Sequence, residues 1–250
     1  MSDFANLTGV VPNWPVSAKV TVLTTTRLGG VSASPFDALN LGLHVGDEPE
    51  AVITNRRRLT ESFSLPAEPV WLNQTHSTSI LDVTQQHHES VDVDGAYTCL
   101  TNVVLAVLTA DCLPIVISDD QGTQLAVVHA GWRGLADGIV RNAINQFNGQ
   151  SNLHAWLGPA IGPSKFEVGE DVRAAFMQRD EVNAEHFKAG NEPGKYWGDL
   201  YALAGTELIR SGCQISGGGY CTHTQADLFY SYRRDGKFSG RMATLAWISE

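Results

Sequence analysis

The chain is poor in cysteine, poor in basic residues and without any long apolar run. Its 250 residues hold four cysteines, Cys99, Cys112, Cys213 and Cys221, and no CxxC pair. That excludes a dense disulfide framework and the compact zinc-finger spacings, and reduced thiols are expected. Seventeen Lys and Arg stand against 27 Asp and Glu, for a net charge of −10. Such a balance argues against a nucleic-acid partner or an anionic membrane surface, while leaving room for a local basic pocket around a small molecule. No apolar run approaches the roughly 18 residues needed to span a bilayer. The opening MSDFANLTGVVPNWP lacks the basic-then-apolar pattern of a signal peptide, so a cytoplasmic protein is expected. No repeat, low-complexity tract or linker interrupts the chain, which reads as one domain over residues 1–250.

What is present centres on residues 105–135. Two apolar runs, Val103 to Ser118 and Thr123 to His129, flank the turn-rich Asp119-Asp120-Gln121-Gly122, the pattern of a β-hairpin. A two-residue loop at Asp120-Gln121 would set Cys112 directly opposite His129. Facing residues of an antiparallel pair share one side of the sheet at about 4.5 to 5.5 Å between Cα atoms, so thiol and imidazole would meet or share a metal. Pro114 cannot donate to a ladder, which predicts a bulge or an edge there, and a one-residue slip would send Cys112 to the other face. His76, in the loop after Val70-Trp71-Leu72-Asn73, supplies a third ligand type. Together His76, Cys112 and His129 make a catalytic zinc set with an open fourth position, although their wide spacing matches no compact metal motif.

Further candidates surround this set. Asp94 in Asp92-Val93-Asp94-Gly95 reads equally as a surface turn and as a carboxylate that orients a ligand histidine or moves protons. Asp111 adjoins Cys112 as a second acid/base candidate. Arg27 precedes Gly29-Gly30, Arg133 lies in Gly131-Trp132-Arg133-Gly134 ahead of a helical period through Phe147, and Arg241 precedes the apolar strand 242–248; each is a candidate phosphate ligand. Helices are expected after Asp47-Glu48-Pro49, over about 169–178 and over 199–209, and a polar surface excursion over 180–196. Adjacent Arg233 and Arg234 would point oppositely on a strand, so at most one can face a given pocket. His87-His88 reads as exposed loop.

The segments NQTHS (73–77), DVDGAYT (92–98), TADCLPI (109–115), HAGWRG (129–134), LGPAIGP (157–163), FEVG (166–169) and SYRRDGKFSGRMA (231–243) resemble, as a set, the bacterial laccase-domain or YfiH-like family. The resemblance spans nearly the whole chain. It implies a single α/β (α+β) domain with mixed sheets layered between helices, similar to the fold of toxin deamidases. It also implies a metal, commonly zinc, on His76, Cys112 and His129. The implied activity is phosphorolysis of adenosine, inosine, guanosine and methylthioadenosine, with hydrolytic deamination of adenosine. The partners are then a purine nucleoside and phosphate, in a monomer or small homo-oligomer. The family's older label implies a copper polyphenol oxidase, but these eight histidines include no HxH pair of the kind a trinuclear copper cluster relies on. A metal-free hydrolase with Cys112 as nucleophile and His129 as base is a further alternative.

Overall fold

A computed structural model describes residues 7–84, 91–149 and 152–250; His87-His88 lies outside them. The strands are β1 (Gly9–Val10), β2 (Val20–Thr25), β3 (Val70–Trp71), β4 (Ile80–Asp82), β5 (Gly95–Thr98), β6 (Leu105–Thr109), β7 (Leu113–Asp119), β8 (Leu125–Ala130), β9 (Leu153–Leu157), β10 (Glu167–Gly169), β11 (Phe187–Ala189), β12 (Lys195–Gly198), β13 (Gln214–Gly217) and β14 (Met242–Ile248). The helices are α1 (Pro49–Ser62), α2 (Trp132–Asp137), α3 (Ile139–Ile144), α4 (Glu170–Arg179), α5 (Leu200–Arg210) and the single turn α6 (Tyr232–Asp235). They build a five-stranded sheet ordered β1-β2-β14-β6-β3, a six-stranded sheet ordered β13-β9-β7-β8-β5-β4, and a small sheet ordered β10-β12-β11. Both large sheets are mixed, with β3·β6, β4·β5 and β9·β13 parallel. This is the α/β (α+β) architecture that the resemblance implies.

Burial explains why β7 and β8 read as unbroken apolar runs. Alternate residues of a strand point to opposite faces, and here both faces are covered. Ile115, Ile117, Ala126 and Val128 pack under α2 to α5, whereas Val116 and Val127 pack against Val22, Leu105 and Val107 of the other large sheet. A third apolar layer sets α1, through Leu59, with Leu39 and Leu41 against Leu23, Ala106 and Leu245.

The run Val103 to Ser118 is not one strand. It leaves the five-stranded sheet at Thr109 and enters the six-stranded sheet at Leu113, and the three residues between carry the crossing. Asp111 makes the bend with φ 93°, a left-handed conformation that a non-glycine residue adopts only when its surroundings enforce it. The enforcement is visible. Its carboxylate accepts from Thr222 Oγ1 (2.6 Å), Ser231 Oγ (3.0 Å) and the Arg233 amide (2.6 Å), and its carbonyl accepts from the Ile161 amide (2.9 Å).

Beyond the bend the hairpin register differs from expectation. His129 pairs with Pro114, not with Cys112. Asp119 lengthens the loop, because its carboxylate accepts the Thr123 and Gln124 amides at 2.7 and 2.9 Å and holds them out of the ladder. Pro114 sits neither on an edge nor in a bulge. It is the second residue of a central strand, one position before pairing with β9 begins at Ile115. The helical period after His129 also starts earlier, at Trp132, and is cut in two by Gly138 at φ 101°. Residues 180–196 are more than a surface excursion, since they carry β11 and the start of β12.

Removing a side chain from the doubly covered strand is expected to be costly. Ile117→Ala, at a site with 0% exposure, should destabilise by about 2–5 kcal/mol. Ile53→Ala on α1, at 59% exposure, should stay within about 0.5 kcal/mol. Urea unfolding of both variants checks the contrast.

Candidate metal centre

The crossing, the end of β8 and the loop after β3 deliver three side chains to one point. His76, Cys112 and His129 present ligand atoms that all lie within 4.8 Å of one another. Cys112 Sγ is 3.9 Å from His76 Nε2, and the two imidazole rings meet edge to face at 4.9 Å. The register slip is harmless because it is a shift of two positions. A residue and its second neighbour share a face, so Cys112 keeps the side it would have had opposite His129.

Asp94, at 0% exposure, is the common support. Its oxygens accept from the backbone amides of Thr75 (3.1 Å), His76 (3.0 Å) and Ser77 (2.6 Å), from Ser77 Oγ (2.8 Å), and from His129 Nδ1 (2.8 Å). Burial alone would push this carboxyl up, but the bonds from His129 and Ser77 outweigh it and hold the group well below the usual carboxylate range. A proton on His129 Nδ1, bonded to Asp94, leaves Nε2 as the free ligand atom. The same carboxylate bends the His76 backbone into its left-handed conformation, φ 62°. Asp94 is therefore no exposed surface turn, and its bonds to the His76 amide and to His129 Nδ1 are ones that would orient a ligand histidine.

Without metal the remaining pair is ionic. Burial raises the Cys112 thiol, yet His129 and then His76 bring it down to about 6. Burial lowers His129, but the Cys112 charge and the Asp94 bond raise it to about 9. Two imidazoles and a thiolate at this separation suit zinc. At ordinary bond lengths tetrahedral ligands stand about 3.5 Å apart, a small rotation from what is seen. Among the described residues this is the sole cluster of such ligands.

The centre floors a cavity of about 450 Å³. Three arginines line it, each laid on an aromatic ring: Arg133 on Trp132 at 4.4 Å, Arg233 on Phe166 at 5.6 Å and Arg241 on Tyr232 at 5.8 Å. Stacking holds a guanidinium without neutralising it. Arg233 spends one nitrogen on the Glu167 carbonyl (2.6 Å) and Arg241 one on the Ser239 and Gly240 carbonyls (2.7 and 3.0 Å). His44 also lines the cavity, its pKa lowered by burial and by Arg241 and Arg56.

His76, Cys112, His129, Asp111, Arg133 and Arg241 line the cavity, and Asp94 stands directly behind it. Arg27 does not join them. Its guanidinium lies over Tyr230 and is taken up by the Asp37 and Ala226 carbonyls and the Asp37 carboxylate. Arg233 faces the cavity and Arg234 does not, but the reason is a helical turn, whose capping Ser231 is bonded to Asp111. His44, Trp132, Phe166 and Tyr232 were missed as cavity residues. For His44 the only local signal is the pair of flanking glycines, Gly42 and Gly46.

Comparison with known proteins places the chain in a family and supports its fold. The family model described as multi-copper polyphenol oxidoreductase laccase matches residues 21–249. The Escherichia coli protein named purine nucleoside phosphorylase YfiH is 45% identical over 242 residues, 96% of this chain and 98% of its own. A Haemophilus influenzae protein named purine nucleoside phosphorylase is 43% identical over 240 residues, 95% and 98% of the two chains. Among solved structures, a Neisseria meningitidis protein superposes with a TM-score of 0.91 at 43% identity, covering 98% of this chain and 100% of that one. The Bacillus licheniformis protein YfiH gives 0.88 at 30% identity, over 92% and 93%.

Two substitutions test the centre. A Cβ on Gly131 would stand 2.6 Å from His76 Cδ2 and 3.2 Å from Cys112 Sγ. Gly131→Ala should therefore push two ligands apart and lower bound metal in the purified protein. Asp94→Asn should weaken metal binding about 10- to 100-fold, read by competition with a chelating indicator; unchanged affinity would remove Asp94 from its supporting role.

Proposed function

The chain belongs to the multi-copper polyphenol oxidoreductase laccase family, and from that premise we propose that it is a zinc-dependent purine nucleoside phosphorylase. In this reading it takes adenosine, inosine, guanosine and methylthioadenosine, and also deaminates adenosine hydrolytically. The observation that carries the reading is the convergence of His76, Cys112 and His129, braced by Asp94, under three aromatic-stacked arginines. Relatives named purine nucleoside phosphorylase, 42–46% identical, support the same substrate class.

His76, Cys112 and His129 would hold the zinc, whose contribution when bound is Lewis acidity toward a carbonyl, a water or a leaving group. The protein's own groups do the rest. In phosphorolysis a phosphate oxygen bonds to C1′ as the C1′–N9 bond breaks and its electron pair leaves with the purine, which takes up a proton. Arg133 and Arg241, joined by Arg233, hold the phosphate against C1′ through unspent N–H donors. Trp132, Phe166, Tyr232 and Ile161 line an apolar wall for the base and exclude water. Asp111 and Asp94 hold position: the first ties the bend at Cys112 to Thr222 and to the turn bearing Tyr232 and Arg233, the second fixes His76 and His129.

Two other readings have an observation each. The lowered Cys112 thiol beside a raised His129 has the makings of a thiolate nucleophile and its acid/base partner, a metal-free hydrolase. The family description names copper, yet one three-residue ligand group among the described residues is too small for several copper ions.

Elemental analysis of the parent and of Cys112→Ala, with inosine and adenosine assays run with and without phosphate, separates the three. Near-stoichiometric zinc and phosphate-dependent base release in the parent, both absent from the variant, are expected. Phosphorolysis retained by a metal-free variant would refute a zinc mechanism. No metal in either protein, with a Cys112 sensitive to alkylation, would establish the hydrolase.

A further inference from the structure

The cavity wall carries an imidazole that belongs to no ligand set. His44 sits on the short turn Leu43–Val45 between β2 and α1, is exposed, and lines the same cavity as the metal centre. Its turn is fastened to the arginine beside it. Buried Asn40 accepts the Gly42 and Arg241 amides on one oxygen at 3.0 and 2.9 Å, and its nitrogen donates to the Gly42 carbonyl (3.2 Å) and to Asp47 (2.9 Å). The Leu41 amide donates to the Arg241 carbonyl at 3.2 Å. Gly42 lies so close to that arginine that an added Cβ would stand 2.8 Å from its Cγ. These bonds hold backbone in place, and none of them engages the imidazole.

The electrostatic setting has one sign. Burial, then Arg241, then Arg56 lower the His44 pKa, so the two charged groups that act on it are both cations. Arg56 keeps its charge by lying on the Trp71 ring at 3.9 Å and donating Nε and Nη2 to the Leu41 carbonyl at 3.0 and 2.9 Å. The groups facing these arginines are Glu68 at Arg56, and Cys112, Tyr232 and Asp111 at Arg241. Asp111 is already occupied by Thr222, Ser231 and the Arg233 amide. Arg241 gives Nη1 to the Ser239 and Gly240 carbonyls, which leaves Nε and Nη2 as donors. An oxyanion on those donors would take an N–H from the neighbouring imidazole, and its charge would offset the field that disfavours imidazolium. A neutral base or sugar gains nothing from that field.

We infer that His44 and Arg241 together form the phosphate subsite, the imidazole donating one N–H to a phosphate oxygen beside the guanidinium. The assignment rests on the phosphorylase reading and adds His44 to its binding residues. A consequence is linkage between anion and proton. If bound phosphate favours the imidazolium, phosphate binds more tightly as pH falls through the raised His44 pKa, and binding draws a proton onto that ring.

The test follows the His44 ring by NMR through a pH titration of the purified protein, with and without inorganic phosphate. Its signal is assigned by its loss in His44→Gln. Without phosphate the ring should titrate below the ordinary histidine value, and saturating phosphate should raise it by roughly 1–3 pH units. Kinetics on His44→Ala should show a phosphate KM raised roughly 10- to 150-fold, the worth of a hydrogen bond to a charged group. Its inosine KM and metal content should stay at the parent values, and His44→Gln, which keeps an N–H donor, should show the smaller rise in phosphate KM. A His44 signal that phosphate does not move would overturn the inference. So would an unchanged phosphate KM in His44→Ala, or a rise in the inosine KM in its place. A parent whose His44 responds to phosphate but which releases no base from any nucleoside would sink the phosphorylase reading and leave the anion subsite standing.

Discussion

The cavity floor depends on one buried carboxylate. Asp94 has no access to water, and an ionised carboxylate in that position survives only if every oxygen is occupied. The occupants are the loop before β4 and the end of β8. Three consecutive amides, Thr75 to Ser77, wrap the anion, and His129 closes it from the other side. Meeting the electrostatic demand of Asp94 is thus the same act as placing two of the three ligand side chains. Asp111 repeats the device one layer away: a buried carboxylate tied to Thr222, Ser231 and the Arg233 amide holds the bend that turns Cys112 inward.

The convergence of Cys112 and His129 was legible in the sequence because it depends on parity more than on register. His129 lies on β8 and Cys112 immediately precedes β7, and strand side chains repeat every two residues, so an error of two positions in the hairpin left the two side chains on one side. The loop length was not legible, since it turns on Asp119 capping the Thr123 and Gln124 amides rather than on a composition cue. The crossing at Ala110–Cys112 was hidden as well. Both large sheets are covered on both faces, so the apolar pattern runs through the change of sheet without a break. Short β11 and β12 have no periodicity long enough to read and are specified by pairing with one another and with β10.

Arginine roles were the least legible part. Arg27 and Arg133 have similar neighbourhoods in sequence, each close to glycines, yet Arg27 is spent on carbonyls and on Asp37 while Arg133 lies on Trp132 at the cavity. What separates them is the tertiary position of carbonyl groups, which no local pattern encodes. Arg233 and Arg234 make the same point: a strand argument selected one of them, and a capped helical turn did the selecting.

The aromatic seats of the cavity arginines have a consequence at long range. The molecule carries a net charge of −10, so its field as a whole repels anions. Arg133, Arg233 and Arg241 hold their charge on ring faces instead of surrendering it to carboxylates. They therefore form a positive well recessed in a negative surface, and low-dielectric walls focus such a field toward its mouth. Anion capture then pits a short-ranged attraction against a diffuse repulsion. Because the two extend over different distances, ionic strength screens the repulsion first, and moderate salt can quicken entry before higher salt slows it.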